Sequence, residues 1–240
     1  IRLLYDIMQY AEQHDIPGLL LSVDFEKAFD SVSWGFIMKC LIFLNFGENF
    51  ITLIKLLYNN AQLSVLQHGH RSGFFRIYRG CRQGDPISPY LFLLCAEILG
   101  ILVRGYSEIR GMTINDHMFK LFQYADDTCL ILDGSENSLM NALDLLDQFA
   151  KFSGLKPNIE KTSAIWIGAK CGSRERLCME SPMNWTLEPF RILGVIFSTD
   201  LDFMQNLNFQ PVLTKVQTLR DSWSKRWLTV PGRITVVKTL

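Results

Sequence analysis

Apolar residues recur along the chain at two spacings, and the switches between them mark out its elements. Leu3, Leu4, Ile7, Met8 and Ala11 fall on one helical face, and His14-Asp15-Ile16-Pro17-Gly18 stops that helix. Leu19 to Val23 is a short continuous apolar run, the pattern of a strand buried on both faces, and it delivers Asp24. Helical spacing returns in Phe36, Ile37, Cys40, Leu41 and Leu44, breaks at Gly47, and resumes over 48–60 with Phe50, Ile51, Ile54, Leu57 and Tyr58. Residues 62–67 and 74–78 read as two strands joined around His68-Gly69-His70. A turn-rich stretch, Gly80 to Pro89, then precedes a helix carrying Leu91, Leu94, Cys95, Ile98 and Leu102, with Ser88 as its expected cap and Pro89 at its first position.

The second half begins with two apolar arms, Phe122 to Tyr124 and Thr128 to Leu132, around Ala125-Asp126-Asp127, which is expected at the tip of a hairpin. Ser135 caps a helix whose face is Leu139, Leu143, Leu146, Phe149 and Ala150, ended by Ser153-Gly154. Leu155 to Asn158 is a loop, and Lys161 precedes a strand over 163–167. Residues 170–182 read as an exposed connection. Arg191 to Phe197 reads as one strand, with Gly194 where something approaches closely. A helix follows with Phe209, Val212, Leu213, Val216 and Leu219, and Pro231-Gly232-Arg233 begins another. Helices and strands alternate around two hairpins, neither a regular βαβ array nor all-β, so the class is α+β.

Hydrophobic residues make up 48% of the chain and charged ones 20%, which is enough apolar surface for a sizeable core and excludes a disordered chain. The cysteines are scattered, with no C-x₂-C pair and no zinc spacing, as in a reduced intracellular compartment. No apolar run reaches about 18 residues, since Glu97 and Gly100 interrupt the longest, Leu91 to Val103, so no membrane span is expected. The formal net charge is zero, which counts against the basic surface usual in nucleic-acid binding but leaves room for a local positive stripe. The first residue is Ile1 and the last falls inside a periodic run, so both ends read as cut from something longer.

Candidate chemistry begins with the acids. Asp126 and Asp127 repel each other at a tight turn. They suit either a solvated turn or a divalent cation, which prefers hard oxygen ligands. Asp24 ends a buried strand, where a carboxylate is costly unless solvated, paired, metal-bound or capping the next helix. If the two strands are neighbours, three carboxylates converge and can hold two metal ions for an in-line phosphoryl displacement. Spacing alone does not separate a polymerase from a two-metal hydrolase, although no His lies near any of the acids in sequence to activate a water. His68 and His70 read as turn residues rather than ligands. Trp223-Ser224-Lys225-Arg226-Trp227 suits either a nucleic-acid groove or core anchors.

Ordered motifs resolve the choice. Leu20 to Val32, with Asp24, Ala28, Phe29 and Asp30, resembles the first palm motif of reverse transcriptases of the non-LTR (LINE-type) retrotransposon group. Gly80 to Phe92, reading GCRQGDPISPYLF, resembles the second, Tyr124-Ala125-Asp126-Asp127 the third, and Ser153 to Asn158 with Lys161-Thr162 the fourth. Arg191-Ile192-Leu193-Gly194 looks like the primer-contacting motif, and Trp227 with Gly232-Arg233 like the start of a thumb. The resemblance implies a right-hand polymerase palm with partial fingers over 1–200 and a truncated thumb over 201–240. It implies RNA-directed DNA polymerisation, with two Mg²⁺ ions (Mn²⁺ as substitute) on Asp24, Asp126 and Asp127, helped by the carbonyl of Phe25. Phe29 would be the gate against a ribose 2′-hydroxyl, Gln83 and Gly84 would line the nucleotide pocket, and Lys161 would sit by the triphosphate as general acid. Leu193 and Gly194 would position the primer end. The implied partners are an RNA template, a DNA primer, dNTP and the remainder of a polyprotein with an endonuclease, and no membrane. The implied location is the nucleus, at target-primed synthesis, or the cytoplasm. Group-II-intron and retron enzymes share this palm, and an inactive or domesticated nucleic-acid-binding remnant is the alternative of another class.

Overall fold

The computed structural model of the chain describes residues 2–187, 189–192, 194–198, 201–224, 226–227 and 229–239. They fall into two compact units, 1–188 and 189–240.

In the first unit, helix α1 (Arg2–Gln13) leads to strand β1 (Pro17–Val23), and α2 (Ala28–Ser31), α3 (Trp34–Phe43) and α4 (Glu48–Tyr58) follow. Four short strands come next, β2 (Gln62–Leu63), β3 (Leu66–Gln67), β4 (His70–Arg71) and β5 (Phe75–Arg76), and then α5 (Ser88–Gly105). The unit continues with β6 (Met112–Ile114), β7 (His117–Phe119), β8 (Leu121–Tyr124), β9 (Asp127–Leu132), α6 (Glu136–Ser153), β10 (Ser163–Gly168) and β11 (Asn184–Trp185).

The central sheet has the order β11-β10-β1-β9-β8, with β1 in the middle. The apolar run Leu19–Val23 is buried on both faces as expected, although its neighbours β9 and β10 run antiparallel to it. Leu19, Leu21 and Val23, opposite Leu132, Leu130 and Thr128, face a core shared with α3, α5 and α6. Leu20, opposite Ile131 and Ile165, points to the other face. There α1 packs against β10, and the Ala11 side chain lies beside Gly168. Each fully buried leucine of β1 contributes about 1.5–3 kcal/mol of transfer free energy.

Three local expectations are corrected. By length and composition α5 is apolar enough to cross a bilayer, and it runs straight through Glu97 and Gly100. It is instead the core helix, burying Leu91, Phe92, Cys95, Leu99 and Val103, while exposed Glu97 pairs with Arg104. Gly100 is small because the Gln123 side chain of β8 lies where a Cβ would stand, 2.8 Å away. Ser88 does not cap α5. It sits in the first turn, and Asp85 accepts the Ile87 N–H through Oδ1 (3.2 Å) and the Ser88 N–H through its carbonyl (3.1 Å). The 62–78 segment is two short exposed ladders, β2 with β5 and β3 with β4, rather than one pair of strands. His68 (φ 48°) and Gly69 (φ 80°) form its two-residue turn, both left-handed as a type I′ hairpin requires.

Other expectations stand. The Ser135 Oγ accepts the Ser138 N–H (3.3 Å), and Gly154 closes α6 at φ 80°. Cys40, Cys81, Cys95 and Cys129 are buried free thiols.

The second unit contains β12 (Phe190–Ile192), β13 (Val195–Phe197), α7 (Leu201–Ser224) and α8 (Val230–Thr239). Residues 191–197, expected as one strand, are a hairpin. Gly194 (φ 77°) serves its turn, since a Cβ there would meet open space. Leu193 lies outside the described residues. The Asn208 amide clasps Ile196, accepting its N–H (2.9 Å) and donating to its carbonyl (2.7 Å), which ties α7 to β13.

Candidate active site

The third motif is a hairpin whose last rung pairs Tyr124 with Asp127, leaving Ala125 and Asp126 as the two turn residues. Ala125 holds φ 54°, a conformation that costs a non-glycine residue about 1–2 kcal/mol. Asp126 is exposed at the tip, and Asp127 opens β9. The β1–β9 ladder ends at Val23 opposite Thr128, so Asp24 and Asp127 stand at adjoining strand ends. By strand alternation Asp127 belongs to the sheet face turned away from the α3, α5 and α6 core.

The charges act on each other. Partial burial, and then the charges of Asp126 and Asp24, push the Asp127 carboxyl above the usual aspartate range. Among the described residues no ion pair involves these acids, and no three carboxylate, imidazole or thiol groups are closed into a metal-holding set. Three exposed, mutually repelling carboxylates offering only hard oxygens fit a divalent cation in donor chemistry.

Residues 24–34 are gripped from two sides. On one side, the Asn158 N–H donates to the Asp24 carbonyl (2.7 Å), Phe25 bridges Pro157, and the Glu26 N–H donates to Lys156 (2.9 Å). The Ser33 N–H donates to the Ser153 carbonyl (2.7 Å), and Gly154 approaches so closely that a Cβ would lie 2.5 Å from the Ser31 oxygen. On the other side, a Cβ on Gly80 would lie 2.8 Å from the Asp30 oxygen. The Cys81 N–H donates to Phe29 (2.6 Å), and Trp34 Nε1 donates to the Gly80 carbonyl (2.9 Å). The second and fourth motifs thus close on one short segment of the first, whose Asp24 adjoins the third. Lys161, exposed, sits on the same turn as Asn158, whose carbonyl accepts its N–H (3.1 Å).

Beside this segment lies a recess of about 270 Å³ lined by Phe29, Arg82, Gln83, Gly84, Ser88 and Pro89. Phe29 stacks on Phe92 of α5, with centroids 4.3 Å apart and planes at 19°. Arg82 braces the wall. It donates to the Leu57 carbonyl (3.0 Å), lies over the Tyr58 ring and stands 3.6 Å from Asp85. Burial pushes the Tyr58 phenol up to about 12 and the Cys81 thiol to about 11, so both stay neutral supports below the wall.

The structure therefore gathers Phe29, Gln83 and Gly84 into one recess, and Asp24, Asp126 and Asp127 at adjoining strand ends. Phe25 and Lys161 lie on the segments joined at Asn158, and Gly194 lies in the second unit. Phe92, Arg82 and Asn158 fall inside the second and fourth motifs but have no role assigned by sequence. Phe92 was visible as the residue four past Ser88 on the buried face of α5, whereas Asn158 carries no local signal.

Comparison with known proteins gives this arrangement its context. Residues 2–197 match the family described as reverse transcriptase (RNA-dependent DNA polymerase). The chain is 26% identical, over 99% of its length, to the Transposon TX1 uncharacterized 149 kDa protein of Xenopus laevis, of which it covers 18%. It is 27% identical, over 74% of its length, to a retrovirus-related Pol polyprotein from type-1 retrotransposable element R2 of Popillia japonica, of which it covers 26%. The chain thus spans about a fifth to a quarter of the length of these relatives. Apo telomerase from Candida tropicalis, truncated from its C-terminal domain, superposes with a TM-score of 0.54 at 15% identity, over 82% of this chain and 38% of that one, and shares the fold. The chain belongs to the reverse transcriptase (RNA-dependent DNA polymerase) family, in the company of non-LTR retrotransposon proteins.

Proposed function

We propose that the chain is the palm of an RNA-directed DNA polymerase that adds dNTP to a primer 3′-hydroxyl on an RNA template, as part of a longer retrotransposon polyprotein. Asp24, Asp126 and Asp127 would hold two Mg²⁺ ions, with Mn²⁺ able to substitute. When bound, such ions lower the pKa of the primer hydroxyl and neutralise the departing pyrophosphate. Phe29 excludes the 2′-hydroxyl by volume, and Gly84 lets backbone approach the nucleotide beside Gln83. Lys161 donates a proton to the leaving pyrophosphate, Leu193 and Gly194 seat the primer, and residues 201–240 begin the thumb. Synthesis takes place at the nuclear target site.

One observation carries this reading. Residues 24–34 supply both Asp24 to the acid cluster and Phe29 to the recess, so metal ligation and sugar selection hang on a single braced segment. Primer extension on an RNA template with Mg²⁺ and dNTP tests it, in the longest form of the protein that carries these residues. Asp126→Ala abolishes extension. A mutant that still extends would overturn the metal set.

A further inference from the structure

We propose that Gln123 is a positioning residue: its amide sets the acid hairpin against helix α5, and so fixes Asp126 and Asp127 relative to the Phe29 gate. The catalytic consequence rests on the polymerase reading, and the tie itself on the packing of β8 against α5. At the edge of the central sheet, β8 has β9 on one side and, among the described residues, no strand on the other. Gln123 stands opposite buried Thr128, and Leu121, two residues back, packs against the core, so the amide points at α5. There its Nε2 donates to the Ala96 carbonyl (3.1 Å). Its Oε1 uses the room left by Gly100, where a Cβ would lie 2.8 Å away.

An aliphatic side chain would fill that space with no polar group to satisfy. The amide adds direction, since its bond to a mid-helix carbonyl forms at one height along α5 and no other. Lys120, just before β8, grips the helix end, where Nζ donates to the carbonyls of Arg104 (3.2 Å) and Tyr106 (2.8 Å). The strand is therefore tied to the helix at two heights. The rung after Gln123–Thr128 is Tyr124–Asp127, and Asp126 belongs to the turn it closes. One helical turn before Ala96, on the same stripe of α5, is Phe92, which stacks on Phe29. A single hydrogen bond thus stands one rung from the acids and one turn from the support of the gate. This route through α5 is separate from residues 24–34.

The test sets primer extension against thermal melting, in the longest form of the protein that carries these residues. In Gly100→Ala the new Cβ displaces the ends of two flexible side chains, Gln123 and Arg104. Its Tm should hold or rise, because alanine suits a helix interior better than glycine. Its kcat should fall about tenfold, with KM for dNTP within about threefold, because alignment is lost while binding is kept. Gln123→Met should show the same split. On a Gln123→Ala background, adding Gly100→Ala should change kcat by less than about twofold, since no amide remains to displace. A merely structural role would lower Tm and kcat together. The proposal is overturned if Gly100→Ala keeps wild-type kcat, if kcat falls only in step with Tm, or if the double variant is additive. Hydrogen exchange without metal or nucleotide reads the tie alone. In Gln123→Met, amides of residues 121–132 should exchange about 2- to 12-fold faster, the factor carried by one neutral hydrogen bond, and unchanged exchange overturns the tie. A wild type that fails to extend would overturn the polymerase reading instead, and exchange would still decide this one.

Discussion

Replacing Phe92 by Leu tests whether the Phe29 ring, proposed as the gate against a ribose 2′-hydroxyl, acts because it is held still. The two rings stack at 4.3 Å and 19°, and such a pair contributes about 0.5–1.5 kcal/mol beyond the area it buries. Phe92 is only 2% exposed, so Leu keeps the site apolar and costs the fold about 1–2 kcal/mol of lost packing. What changes at the recess is the confinement of Phe29. Losing about 0.5–1.5 kcal/mol of it lets the ring yield to a 2′-hydroxyl, which relaxes discrimination by about 2- to 12-fold at 1.4 kcal/mol per factor of ten. The assay is the ratio of kcat/KM for a dNTP to that for the matching ribonucleotide, by primer extension. In Phe92→Leu the ribonucleotide value should rise while the dNTP value stays within about threefold. Phe29→Val should lower the ratio further, and adding Phe92→Leu to it should change little, because a support has no effect once the gate is gone. An unchanged ratio in Phe92→Leu would refute the reasoning, as would an additive double variant or a fall caused only by a loss of dNTP turnover.

The grip on residues 24–34 gives a second expectation. Gly154→Ala places a Cβ 2.5 Å from the Ser31 oxygen in a left-handed backbone, and should cost about 2–4 kcal/mol, or about 5–12 °C in Tm; a wild-type melting curve would show that the segment is not clamped there. Asp127 gives a third. Its folded-state pKa is raised, so the native state holds the proton more tightly than the unfolded chain does. The stability this confers is full below the unfolded value near about 4 and is lost as pH rises through the raised folded value. In metal-free protein Asp127→Asn should therefore be at least as stable as wild type at neutral pH and lack that acid-range slope, while Mg²⁺ should raise the Tm of wild type more than that of the variant. A variant clearly less stable than wild type without metal would show that burial and like-charge repulsion do not destabilise the Asp127 carboxylate.

Features that depend on a few neighbouring residues were legible in the sequence. The apolar run before Asp24, the hairpin at Asp126, and the Ser135 and Gly154 caps all sit as read, because turn chemistry and period are local. What failed depended on competition or on distant chain. Ser88 is a good cap by type, but Asp85 stands one turn earlier on a proline-fixed loop and takes the amide first. Glycine reads as an interruption at 100 and as a contact at 194; in the fold it clears room for Gln123 in one case and supplies only a backbone angle in the other. The acids could be chosen by residue type, yet the meeting of residues 24–34 with Gly80 and Gly154 joins positions up to about 120 apart, and nothing periodic records it.

The adjacent acids Asp126 and Asp127 look interchangeable in sequence, but the backbone makes them different. Asp127 is a strand residue. Its rung with Tyr124 is fixed, it adjoins the end of the β1 ladder, and its carboxyl feels both other charges. Asp126 is a turn residue, exposed and hung from Ala125 at φ 54°. A turn of two residues is the shortest that closes this hairpin, and one residue more would slip the register and send Asp127 to the opposite face of the sheet. The strain at Ala125 therefore has a geometric return: it closes the turn in two residues and keeps Asp127 in register opposite Tyr124, with Asp126 exposed at the tip. On the proposed metal-binding reading, a divalent cation at this edge would meet one carboxylate set by the strand and one set by the turn. A rigid cage would impose full repulsion on the metal-free protein. Three exposed acids avoid that cost, although Asp126 and Asp24 still add to the partial burial that raises Asp127.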